Sequence, residues 1–450
     1  MQPPRPSGMT AFTVVWAGQV VSLLGSAMTR FALAIWAWEI TGQATALALV
    51  GFFAFAPEVL FSPLAGALVD RWNRKLVMML SDLAAGLASV AIFLLYLSGH
   101  LQVWHLWAAG AFAGAFAAFQ WPAYSAAIST MIPKEHYARA SGMMSLADSG
   151  SGILAPALAG ALIGLLGGAT RGGALNGISA ILIIDVATFL VAIAALLLVA
   201  VPQPPRTEPV AAGAAGLGSD MAFGFRYILA RPSLLGLQLV FFGGNLMTAL
   251  GFTLFAPMVL ARTGSNSVLL GTVQSVGAVG GVIGAAALSA WGGPRRKVDG
   301  VLFGWAGIGL CQFTMGLGLP FWYLSNFGAH LAIPSVDGSN QSIWQAKVPP
   351  QVQGRVFSAR RMVAQVTVPL GLLLSGPLAD RVFEPAMKPG GALAGAFGWL
   401  VGTGSGAGMA LLMMLTGAFV VLVGLLAQAV PAVRNAESLL PDHEEVAKAV

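Results

Sequence analysis

Mostly apolar stretches long enough to cross a bilayer recur from one end of this 450-residue chain to the other. No other feature constrains its folding as tightly. In hydrocarbon a backbone has no water to bond to, so such stretches must close their hydrogen bonds internally as helices of roughly 20 residues. The runs fall at 11–38, 45–69, 76–98, 103–130, 139–166 and 176–201, then at 233–262, 266–291, 299–318, 320–345, 355–380 and 405–430. The expectation is an all-α membrane protein of about twelve transmembrane helices. Composition agrees: hydrophobic residues make up 57% and charged residues 9%, where a soluble chain carries about a quarter charged residues. The formal charge of +6 is no nucleic-acid signal, because the basic residues sit in short loops between apolar runs. Near the N-terminus the apolar run is too long for a signal-peptide core, so it reads as a retained first span.

Between the two sets of runs, residues 202–218 are rich in Pro, Gly and Ala and lack apolar periodicity, as in a linker. Residues 219–231 are amphipathic, with Met221, Phe225 and Ile228 on one face, and are expected to lie along the membrane surface. This divides the chain into an N-terminal bundle (1–201), a linker with its amphipathic helix (202–232), a C-terminal bundle (233–430) and a solvated, acidic tail (431–450). The halves echo each other. Pro133, Arg139 and Gly160 around the fifth span recur at the same spacings as Pro349, Arg355 and Gly376 around the eleventh. The loop DRWNRK (Asp70–Lys75) has its counterpart in GGPRRK (Gly292–Lys297). Two six-helix pseudo-symmetric bundles follow. With both termini inside, the inner loops hold most of the Lys and Arg. The outer side holds only Arg171, Arg262, Arg381 and Lys388, and Arg30 lies within a span. Cytoplasmic termini in a bacterial inner membrane satisfy the positive-inside rule.

GALVDRWNRKLVM (Gly66–Met78) resembles the cytoplasmic signature loop of the major facilitator superfamily. Thr41–Gly66 and Gly354–Pro385 are similar to its macrolide-efflux-type, drug:proton antiporter branch, and the likeness covers nearly the whole chain. The resemblance implies the major facilitator fold, with helices one, four, seven and ten lining a central cavity. It also implies a gating role for Gly66, Asp70, Arg71, Arg74 and Lys75. Asp70 could cap the start of the eleventh helix near Arg355, with Arg71 and Arg74 bridging to nearby acids; alternatively these cations only set topology. Gly152, Pro156 and Gly160 look like an abbreviated antiporter motif. They also continue a stripe of small residues (Ser141, Ser145, Ser149) along which another helix could pack. The fourth span lacks the Arg that related antiporters often carry there.

An ionised side chain at mid-bilayer costs at least about 2.5–3.5 kcal/mol, so polar residues in spans must face protein or water. Helical spacing aligns Gln19, Ser22, Ser26 and Arg30 on the first span, and Phe112, Phe116 and Phe119 on the fourth. It aligns Gln238, Asn245, Thr248 and Phe252 on the seventh, and Asn326, His330, Asp337 and Gln341 on the tenth. Polar and aromatic walls of this kind suit a small amphipathic organic substrate. Glu58, Asp148 and Asp337 are the candidates for proton coupling, each with a structural alternative as partner of a cation or helix end. His330 is a hydrogen-bonding cavity residue or a proton carrier, while Asp82 and Asp185 read as structural residues near helix ends. Arg30 is expected to pair with Asp337, with Glu58 as the competing partner. Cys311 is the single cysteine, and there is no Gly-rich phosphate loop and no HExxH. No enzyme activity, cofactor, metal or nucleic acid is expected. The function expected is secondary active, proton-coupled efflux of amphipathic compounds such as macrolide-like drugs, by a monomer. The alternatives are an exporter or flippase of a native lipid or siderophore-like metabolite, and a transport-inactive membrane sensor.

Overall fold

A computed structural model describes residues 8–69, 72–133, 136–168, 176–200 and 217–440, and these residues form helices joined by short turns, with no strand among them. In chain order the helices are α1 (Gly8–Thr41), α2 (Ala44–Val69), α3 (Arg74–Leu97), α4 (Val103–Met131), α5 (Tyr137–Leu166) and α6 (Gly177–Leu198). Then come α7 (Leu217–Leu229), α8 (Pro232–Thr253), α9 (Phe255–Thr263), α10 (Ser267–Trp291), α11 (Lys297–Met315), α12 (Leu319–Lys347) and α13 (Pro350–Leu378). A π-helical turn over Ala379–Phe383 leads into α14 (Glu384–Met387), α15 (Ala394–Val401), α16 (Ala407–Ala429), α17 (Pro431–Arg434) and α18 (Ala436–Leu439). Starts and stops have local causes. Asn73 caps α3 by accepting from Leu76 N at 3.1 Å. Asn176 and Ser179 form a reciprocal capping box on α6. Proline opens α8, where no intrahelical donor is lost.

Ten helical stretches of the described residues are long and apolar enough to cross a membrane. Both α4 and α12 match them in length at 29 residues each, about 43 Å at 1.5 Å per residue. The fold is therefore the all-helical, multi-spanning one expected.

By its contacts the chain divides into two units, Met1–Arg206 with Val259–Ser275, and Thr207–Met258 with Val276–Val450. In the first, Phe12 and Val15 of α1 join Met78, Tyr124, Ile128, Met144 and Leu196 in a core shared by α1, α3, α4, α5 and α6. The second centres on Leu237, Val301, Trp305, Ile308 and Val420, from α8, α11 and α16. The amphipathic segment is helical, as expected. Ile228 packs with Trp344, Val356 and Ala359, and the Arg355 guanidinium sits 4.1 Å from the centre of the Phe223 ring.

The start of the C-terminal tail departs from the expectation of a solvated segment. Val433 and Ala436 are 3% and 0% exposed. Val298 N at the start of α11 donates to Glu437 Oε2 at 3.0 Å, and Lys347 Nζ donates to the carbonyls of Glu437 and Leu440. A helix N-terminus attracts the one, and free carbonyls at a chain turn attract the other. Residues 441–450, the linker up to residue 216, and Asp70 and Arg71 lie outside the described residues.

Within the first unit α5 meets the start of α10 along the small-residue stripe. A Cβ on Gly160 would stand 2.5 Å from Ser267 O, and one on Gly271 would strike Pro156 O. Ser267 Oγ donates to Gly160 O at 3.2 Å, and Ser275 Oγ to Ile153 O at 2.5 Å. Because the obstacle at Gly160 is backbone, it cannot rotate away. Gly160→Ala is expected to destabilise the purified protein by about 1–3 kcal/mol. Gly142→Ala on the same helix, where a Cβ meets nothing within 4 Å, should leave the melting temperature unchanged or raise it. Comparison of the two unfolding curves in one detergent checks this.

Candidate functional site

The polar stripe of α1 is directed at acids of its own unit. Gln19 Nε2 donates to Asp82 Oδ2 on α3 at 2.8 Å; Gln120 Nε2 on α4 donates to Asp82 Oδ1 at 2.9 Å and to Gln19 Oε1 at 3.1 Å. Two turns along α1, Ser26 Oγ donates to Asp185 Oδ1 on α6 at 3.0 Å, while Ser89 Oγ on α3 donates to Oδ2 at 2.7 Å. Asp82 is 8% and Asp185 2% exposed, so each carboxylate has exchanged water for two side-chain donors from other helices. Ser22, between the two clusters, is buried.

Arg30, at the far end of the stripe, has Asp185 and then Glu58 as the carboxylates whose charges reach it. Its side chain keeps accessible surface even though protein crowds around it. Asp337 on α12 is in the same situation in the second unit, and the charge that reaches it is that of Arg360 on α13. Arg30 and Asp337 lie in different units. Each has an opposite charge inside its own unit.

Arg360 organises the second cluster. Its Nη1 donates to Gln341 Oε1 at 2.8 Å, its guanidinium carbon lies 5.2 Å from the centre of the Trp344 ring, and Gln238 Nε2 reaches its carbonyl at 3.5 Å. Further along, His330 Nδ1 lies 2.9 Å from Asn326 O, and its ring meets Phe252 edge-on at 5.8 Å. Asn245 and Thr248 are half-buried on the same stretch of α8. The expected residues of the seventh and tenth spans are thus largely gathered in one unit.

The aromatic stripe of α4 divides. Phe112 and Phe116 contact each other at 5.1 Å, and Phe112 is exposed. Phe119 packs against the core and stacks with Trp72 at 6.2 Å. Of the signature loop, Lys75 donates to Val199 O at 2.6 Å and so closes the C-terminal end of α6. Arg74 opens α3, and Gly66 lies in the last turns of α2. Pro156 and Gly160 of the antiporter-like motif belong to the α5–α10 seam, while Gly152 is exposed. Asp148 is exposed on α5.

Sequence reasoning passed over Ser89, Gln120 and Arg360, and read Asp82 and Asp185 only as structural residues. Asp82 and Asp185 each lie about two turns inside their helices, deeper than the helix-end placement expected. Asp82 and Ser89 are seven residues apart on one face of α3, a spacing that could have flagged that helix as a fifth polar stripe.

Long apolar helices that enclose buried polar and charged clusters mark a multi-spanning membrane protein. The family description "Major Facilitator Superfamily" matches residues 15–372. The chain belongs to this superfamily. It is 27% identical over 379 residues to Macrolide efflux protein A of Streptococcus pyogenes, covering 82% of this chain and 90% of that one. It is 25% identical over 299 residues to the enterobactin exporter of Escherichia coli, covering 65% and 66%. Among solved structures it is similar to a bacterial homologue of the human lysosomal transporter Spinster. That match has a TM-score of 0.69 at 19% identity and covers 93% of this chain and 96% of that one.

The two charge clusters make a direct prediction. Removing one partner from a buried polar pair leaves the other uncompensated, and coupled pairs show interaction energies of about 0.5–3 kcal/mol. Arg30→Met with Asp185→Asn, and Asp337→Asn with Arg360→Met, are expected to be non-additive in thermal stability within each pair. Two double-mutant cycles on purified protein measure this; additive losses in either would dissolve that pair.

Proposed function

We propose that the chain is a secondary active exporter of amphipathic organic compounds of the macrolide-like class, driven by protons. The observation that carries this reading is the similarity to Macrolide efflux protein A along most of both chains. The clusters supply a physical basis for coupling. A carboxylate that shares Arg30 with a second carboxylate can take up a proton and leave the cation to its neighbour. Glu58 is the member of that set with the more accessible side chain, since Asp185 is held by two serines. Asp337 beside Arg360 offers the same exchange in the second unit. The enterobactin exporter's similarity supports a second reading, export of a siderophore-like metabolite.

Transport into inside-out vesicles tests both readings. Uptake of a radiolabelled macrolide is expected when the lumen is acid and is expected to stop when nigericin collapses the gradient. Glu58→Gln should abolish gradient-driven uptake while sparing downhill exchange. Uptake that ignores the gradient removes proton coupling. Uptake of a catecholate siderophore with none of macrolide moves the assignment to the second reading.

Orientation is part of the proposal, with both termini and the linker near Pro204 on the cytoplasmic side of the cell membrane. On a Cys311→Ser background, Pro204→Cys should resist an impermeant maleimide in intact cells and react after permeabilisation. Rapid labelling of intact cells would invert the topology.

A further inference from the structure

Direct contacts between α4 and α5 are few, and α1 packs against both. The gap is a cleft of about 460 Å³ bordered by Trp121, Ser125, Tyr137, Ser141, Ser145 and Asp148. That volume lies in the range of small-molecule sites, about 300–1,000 Å³. Asp148 sets the cleft apart from the clusters already described. Asp82 has two glutamine donors, Asp185 two serines and Arg30, Glu58 has Arg30, and Asp337 has Arg360. Among the described residues no cation and no hydrogen-bond donor reaches Asp148, although it stands about three turns inside a spanning helix. An unpaired carboxylate in that setting is costly and marks a functional position.

The surroundings specify what would compensate it. Trp121 and Tyr137 keep 56% and 36% of their surface exposed, and indole and phenol faces attract organic cations. Tyr124, 8% exposed on the same stretch of α4, has a hydroxyl with no partner among the described residues, within electrostatic reach of Asp148. One carboxylate with hydroxyls and aromatic rings is a poor set of ligands for a metal ion, which needs several hard donors. It suits a bulky ammonium or phosphonium whose charge is diffuse and whose body is apolar.

We propose that the α4–α5 cleft binds the cationic end of the transported compound, with Asp148 as counter-charge and Trp121 and Tyr137 as aromatic walls. This rests on the efflux reading above and narrows its substrate class to amphipathic organic cations. In the orientation proposed, the cleft opens in the cytoplasmic half of the bundle, where an exporter loads.

The test is equilibrium binding to the full-length purified protein, using tetraphenylphosphonium as a permanent cation and triphenylphosphine oxide as a neutral probe of similar shape. The wild type is expected to favour the cation. Asp148→Asn should weaken cation binding several-fold, by about 1 kcal/mol for an exposed charge partner, and leave the neutral probe unaffected. Asp148→Glu should keep most of the affinity, and Trp121→Leu should weaken the cation alone. Because Asp148 and Trp121 are exposed, unfolding curves matching the wild type are expected for every variant. Unchanged phosphonium affinity in Asp148→Asn overturns the proposal, as does a wild type that binds the oxide but not the phosphonium. Loss of proton-driven uptake in Asp148→Asn with phosphonium binding intact overturns it too, making Asp148 a proton site. Failure of the efflux reading shows separately, as a wild type that moves no compound in vesicles.

Discussion

Helices immersed in lipid gain nothing by hiding apolar side chains from one another, so close approach and polar contact must hold them together. Glycines make that approach possible here, and the buried polar bonds depend on it. Cβ atoms at Gly18 and Gly25 would run into α6, at Ala195 and at Thr188 and Asp185. Their absence lets α1 lie close enough for Ser26 to reach Asp185. Gly86 admits Phe189 between α3 and α6 in the same way. In the second unit Gly244 accepts the Trp305 ring, and Gly251 accepts the Gln312 amide, which donates to Thr416 Oγ1 at 2.7 Å. The seams and the polar clusters are one construction, because a larger residue at any of these glycines would push apart the helices whose side chains neutralise each other.

The spans were legible because lipid enforces them. An unbroken apolar length is required whatever the neighbours do, so the run at 139–166 becomes α5 at Tyr137–Leu166, and 103–130 becomes α4 at Val103–Met131. Interruptions of hydrogen bonding were not legible. The run at 233–262 is broken at Leu254 between α8 and α9, and the π turn at Ala379–Phe383 lies where one helix was read as ending. Both are shifts of backbone bonding by a residue or two within sequence that stays apolar, so neither changes the periodicity that a reader measures.

The site was legible on one side only. Spacing placed Gln19, Ser22, Ser26 and Arg30 on one face of α1, and the structure uses that face. Which acids answer them is a tertiary fact, because Asp82 and Asp185 come from helices whose other residues are nearly all apolar. Arg360 was missed for a different reason. Its helix begins at Pro350, five residues before the apolar run, so a cation counted with the loop lies almost three turns inside α13. Positive-inside counting treats every basic residue near a span end as a topology signal, and it cannot separate one that turns inward to hold Gln341.

Charges near the helix ends close open backbone groups. Lys75, in the basic loop between α2 and α3, binds carbonyls at the end of α6. Glu384 accepts from Met409 N at 2.9 Å and so sits at the positive end of α16. Glu437 does the same for α11, while Lys347 and Arg296 hold carbonyls of the segment that carries it. A helix that emerges from hydrocarbon leaves up to four backbone groups open at each end, and these are the first it can satisfy without water. A side chain long enough to reach back from a loop does this and keeps its own charge in the polar region. Loop charges in this chain therefore fix where helices stop. That accounts for the short turns α17 and α18, which fold against the end of α11 because Glu437 meets an open N-terminus there.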